Sequence, residues 1–208
     1  VFVAALKPPH HEIALVLALA GLRWSEIAAL DERDAMRDDA GRLFLAIRRR
    51  HVLDEEGKRV TLPGTKGGRG VTRMVPVLPE LVPIVERHLT GKPDAPLFPS
   101  PRGARLDSRH WRRDGGWKEA CEVVDRVGLR PHDLRHTAAT AWLRMTGDLK
   151  AVQSLMGHST ASMTLDLYAH VLNDTLTRAA DMMAKGLADA ADVESESAGE
   201  SLRNAEGS

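Results

Sequence analysis

The chain has 208 residues, 43% of them hydrophobic and 28% charged, with a formal net charge of zero. That is an ordinary globular composition, long enough to bury one sizeable core or two small ones. Its longest apolar run, residues 13–22, is too short to span a bilayer, and the single cysteine, Cys121, excludes an intrachain disulfide and points to a reducing cytoplasm.

The neutral total hides a split. Residues 181–208 hold seven acids and two bases, leaving 27 bases and 22 acids elsewhere. Residues 42–73 carry nine bases against three acids, and residues 102–118 six against two. Local basic stripes of this kind suit a polyanionic partner better than the overall charge does.

In chain order, residues 11–20 are apolar at helical spacing, Gly21 breaks the run, and Ser25-Glu26 opens a second helix through Leu30, with Arg23 in the corner. "RLFLAIRRR", "KRVTL" and "VTRMVPVL" read as three short strands of an antiparallel sheet, with Lys66 near the tip of the last hairpin. A helix starts at Pro79, another covers residues 107–127, and a third runs from Pro131 to Thr146, closed by Gly147. "DLKAVQSLMG" is a shorter helix ended by Gly157, helix continues past Tyr168, and "ESESAGESLRNAEGS" is a polar tail with no periodicity. The expected organisation is one mainly α domain with a small antiparallel β-sheet (α+β) over residues 1–190, then a disordered acidic tail at 191–208. Trp24, Trp111, Trp117 and Trp142 read as packing residues.

"GLRPHDLRHTAAT", residues 128–140, places His132 and Arg135 three apart on one helix face, near an N-terminus where anions are favoured. His132 and His136, four apart, also resemble half of a zinc site. That motif needs a glutamate after the first histidine, where Asp133 stands, and no second helix offers a clear third ligand. His136 is expected to be a buried structural partner rather than a catalyst. Tyr168, the single tyrosine, follows Gly157-His158 by about ten residues.

"GLRWSEIAAL", "TKGGRGVTRMVPV", "PHDLRHTAAT" and "LMGHSTASMTLDLYAHV" resemble, in order, the signature segments of the tyrosine recombinases, the phage-integrase family. The resemblance runs from about Ala14 to Val171. It implies a tyrosine-recombinase catalytic-domain fold and a catalytic set of Arg23, Lys66, His132, Arg135, His158 and Tyr168. It also implies a site-specific recombinase that cuts and rejoins double-stranded DNA through a 3′-phosphotyrosyl intermediate, without metal or nucleotide cofactor. Lys66 would protonate the leaving 5′ oxygen, although Lys58, Arg59, Arg69 and Arg73 share its sheet and loop. The implied assembly is a homotetramer on synapsed DNA sites, monomeric or weakly associated without DNA, with no membrane partner. The implied setting is the nucleoid of a bacterial or phage-infected cytoplasm. A preceding DNA-binding domain is expected to be missing from this chain. Two alternatives stand beside this reading: strand relaxation like that of a type IB topoisomerase, and a DNA-binding module without chemistry.

Overall fold

The computed structural model describes residues 1–64, 72–157 and 182–185. The chain divides into two compact units, Val1–Thr164 and Leu165–Ser208. In the second unit residues 182–185 are helical; the expected tail at 191–208 lies outside the described residues.

The first unit opens with α1 (Phe2–Ala5), a single turn, and α2 (His10–Ala20), which buries Ile13, Ala14, Val16, Leu17 and Ala20. Gly21 ends α2 in the left-handed region, φ +65°, with its N–H donating to the Leu17 carbonyl. A Cβ on Gly21 would lie 2.3 Å from the Met156 methyl, so this corner has no room for a side chain. One turn of helix follows, α3 (Trp24–Ile27), shorter than the sequence suggests.

The sheet region differs from the three-strand expectation. Among the described residues it has five strands: β1 (Ala35–Arg37), β2 (Leu43–Ile47), β3 (Arg49–Leu53), β4 (Arg59–Pro63) and β5 (Arg73–Pro76). They form two antiparallel sheets, ordered β1-β2-β5 and β3-β4. "RLFLAIRRR" is broken at Arg48, so β2 pairs with β5 and β3 with β4. Residues 65–71, where Lys66 was expected near the tip of the last hairpin, lie outside the described residues. Just past β4, the Gly64 N–H donates to the Arg48 carbonyl at 2.8 Å. Arg49 fixes the ribbon at its base by pairing with the buried Asp31 at 2.8 Å and with Asp34. Buried Leu45, Ile47 and Val75 turn the β1-β2-β5 sheet toward the core.

After α4 (Val82–Arg87) the expected single helix over residues 107–127 is two, α5 (Ser108–Asp114) and α6 (Trp117–Val123). The cause is Gly115-Gly116: Gly116 adopts φ +70°, and a Cβ on Gly115 would meet the His10 ring at 2.8 Å. Helix α7 (Pro131–Thr146) has the expected bounds. Proline sits at its first position, and the Asp133 carboxylate reaches back to accept the Arg130 N–H at 2.7 Å. Helix α8 (Leu149–Met156) is capped by Asp148, which accepts the Ala151 N–H, and is ended by Gly157 at φ +61°.

The core lies between α2 and α7, where Leu134, Ala138, Ala139 and Leu143 of α7 are buried. The tryptophans pack as expected. The Trp111 ring packs tilted against those of Trp24 at 5.0 Å and Trp117 at 5.3 Å, and Trp142 donates to the Leu19 carbonyl at 2.8 Å.

Candidate active site

The first guanidinium of the expected set, Arg23, stands at the residue preceding α3. Its position is fixed by Glu26, whose carboxylate accepts the Arg23 backbone N–H at 2.9 Å and a side-chain N–H at 2.8 Å. The second, Arg135, is one turn into α7 and only 3% exposed. It donates to the Gly21 carbonyl at 2.6 Å and to the Met156 carbonyl, and lies 4.0 Å from Glu26. Although 112 positions apart in sequence, both arginines converge on Glu26 and on the C-terminal end of α8.

A third guanidinium completes the cluster. Arg73, the first residue of β5, makes a two-pronged pair with Glu26 at 2.8 and 2.6 Å and donates through Nε to the Leu155 carbonyl at 2.9 Å. Arg23 donates to the Gly157 carbonyl at 3.0 Å. Three consecutive carbonyls at the end of α8, those of Leu155, Met156 and Gly157, thus each take a different arginine from a different element. A helix C-terminus leaves such carbonyls without intrahelical partners and carries partial negative charge, so cations satisfy it twice over.

The balance is positive: three guanidinium groups face one carboxylate. Burial disfavours an ionised Glu26, but the hydrogen bond and charge of Arg73, helped by Arg23, outweigh it and hold the carboxyl at about 2. For Arg135, burial and then the charge of Arg23 push the pKa down to about 9, with Glu26 opposing them. Arg135 stays charged at neutral pH, but in surroundings that would gain from an arriving anion.

His132 sits on the exposed side of the first turn of α7. Its pKa is lowered by partial burial first, then by the charges of His136 and Arg135, and also of Arg23, so the imidazole is neutral at pH 7. His136 is exposed, which corrects the expectation of a buried partner; its ring meets that of His132 edge to face at 4.9 Å. Among the described residues no group of three or more His, Cys, Asp or Glu side chains is arranged to hold a metal.

Three of the six expected site residues are described: Arg23 and Arg135 meet at Glu26 and the end of α8, and His132 lies three residues before Arg135 on α7; Lys66, His158 and Tyr168 lie outside the described residues. Of the alternatives to Lys66, Arg73 is buried against Glu26 and Arg59 pairs with Asp107. Glu26 was not expected in the site, and Arg73 only as an alternative to Lys66. Both left a trace in the sequence: Glu26 is a lone acid leading into "IAAL", and strand alternation through Val75 and Val77 turns Arg73 inward.

A sequence model of the phage integrase family matches residues 4–174. Over 154 residues the chain is 36% identical to the tyrosine recombinase XerC 1 of Ralstonia nicotianae, covering 69% of this chain and 44% of that protein. Over 166 residues it is 36% identical to XerC of Pelobacter propionicus, covering 78% and 47%. The chain thus spans less than half the length of these relatives. Among solved structures, the Tn1549 transposon integrase superposes with a TM-score of 0.63 at 20% identity, covering 85% of this chain and 62% of that one. XerA recombinase does so at 0.60 and 23% identity, covering 85% and 59%. At these identities the likeness is one of fold. With most of its length matched and its signature arginines gathered at one helix end, the chain belongs to the phage integrase family.

Proposed function

We propose that this chain is the catalytic part of a site-specific recombinase that breaks and rejoins double-stranded DNA through a 3′-phosphotyrosyl link, with Arg23, Lys66, His132, Arg135, His158 and Tyr168 as its catalytic residues. The observation that carries this reading is the meeting of Arg23 and Arg135, beside a neutral His132, in a cluster of net positive charge. The description shared by the XerC relatives supports it.

A phosphodiester resists attack because its own charge repels a nucleophile. Paired guanidinium groups relieve this by donating charge-assisted hydrogen bonds to the nonbridging oxygens and to the extra charge of a pentacoordinate transition state. Removing one such donor typically costs about 100- to 1000-fold in rate. The Tyr168 phenol, with an ordinary pKa of about 10, must lose its proton near neutrality, and a neutral His132 imidazole can accept it. Lys66 supplies a proton to the 5′ oxygen as it leaves, and His158 donates a hydrogen bond to the same phosphate. The phosphotyrosyl ester conserves the energy of the broken bond, so a second DNA hydroxyl can reverse the step. No part of this route calls for a metal or a nucleotide.

The same reading assigns a homotetramer on two synapsed DNA sites and work at the bacterial or phage nucleoid in the cytoplasm. Among the described residues no helix is long and apolar enough to cross a membrane.

The test is a nicked duplex substrate incubated with the protein in EDTA. A covalent protein–DNA adduct should form and vanish in Tyr168→Phe. An adduct that persists in that variant, or none from the unchanged protein, refutes the proposal.

A further inference from the structure

We propose that Arg73 is a positioning residue for phosphate activation: it never touches the DNA, but sets the place and charge of the two guanidinium groups that do. This rests on the cleavage reading above. Arg73 is 9% exposed and makes three hydrogen bonds, two to Glu26 and one to the Leu155 carbonyl. One partner is shared with the proposed phosphate grip and the other adjoins it. Glu26 accepts both the backbone and the side chain of Arg23 and faces Arg135. Leu155 begins the run of carbonyls whose next two members hold Arg135 and Arg23.

The packing is equally specific. The Arg73 side chain lies over Gly157, where a Cβ would stand 3.0 Å from a guanidinium nitrogen and 3.1 Å from Cδ. Arg73 therefore locks together the start of β5, the acid that orients Arg23, and the end of α8. Without it, Glu26 would have only Arg23 and Arg135 to neutralise it inside the protein. A buried carboxylate draws nearby cations inward, so both guanidinium groups would be pulled toward Glu26 and away from an incoming phosphate. Lysine cannot replace the planar fork, since its ammonium cannot span both carboxylate oxygens while reaching the Leu155 carbonyl.

Substrate charge separates positioning from a purely structural role. In a methylphosphonate a methyl group replaces one nonbridging oxygen, the scissile group is neutral, and guanidinium placement matters far less. Adduct formation is measured for the unchanged protein and for Arg73→Lys, with a normal or a methylphosphonate scissile linkage in the nicked duplex. On the normal linkage the variant should be slowed about 10- to 100-fold, the scale on which small misplacements reduce catalysis. On the methylphosphonate its deficit should shrink to within about threefold of the unchanged protein. An equal deficit on both linkages, or none on either, overturns the inference while leaving the cleavage reading intact. No adduct from the unchanged protein overturns both. If Arg73→Lys does not fold, Arg73→Gln, which retains a donor for Glu26, is read in the same way.

Discussion

Glu26→Gln removes the one negative charge facing two buried guanidinium groups, Arg73 and Arg135, and the half-buried Arg23, while preserving shape. The carboxyl's pKa of about 2, against an ordinary 4.5, measures how much more strongly the folded protein holds the ionised form. At 1.36 kcal/mol per pKa unit this is roughly 3 kcal/mol at pH 7, similar to the cost of breaking other buried ion pairs. Because the folded pKa is depressed, the contribution is complete above about pH 5 and is lost as pH falls toward 2. By pH 3 it should be under half its neutral value, on the order of 1 kcal/mol. Urea unfolding of the protein and of Glu26→Gln, compared at pH 7 and pH 3, measures this directly. The variant should be the weaker by roughly 3 kcal/mol at pH 7, and the gap should narrow on acidification. A gap below about 1 kcal/mol at neutral pH, or one that does not change with pH, would refute the assignment of Glu26 as the cluster's counter-ion.

NMR titration of His132 in the DNA-free protein should give a midpoint below the ordinary 6.5, because partial burial and the nearby cations disfavour the imidazolium. A midpoint above 6.5 would contradict the neutral-acceptor role. Gly157→Ala should destabilise the protein by about 1–2 kcal/mol or more in urea, because φ is +61° and the new methyl would crowd Arg73. A neutral effect there would mean that the end of α8 is not fixed by this contact.

Most of the helical frame was legible from local signals. Gly21, Gly147 and Gly157 ended helices where the sequence indicated, each in the left-handed conformation, and Pro131 began α7. The long helix over residues 107–127 failed because periodicity ran across Gly115-Gly116, while the contact that requires a glycine there comes from His10, about a hundred residues away. The sheet was misread because "RLFLAIRRR" has strand character throughout, and the break at Arg48 is set by pairing with two partners that no local pattern reveals. In the site, Arg23, His132 and Arg135 could be picked out because their spacing is local or matches the family's segments. Arg73 and Glu26 look like a ribbon cation and a helix opener until the fold brings them face to face over 47 positions.

The end of α8 has a consequence for how the protein matures. Its three carbonyls are gripped from β5, α3 and α7, segments that begin on opposite halves of the polypeptide. Long-range closures of this kind come late in folding, since their entropic cost precedes their reward. A nascent or partly collapsed polypeptide holds these basic residues scattered, with no focused cluster. The positive cluster is thus assembled only as the tertiary structure closes, and no local segment holds it beforehand.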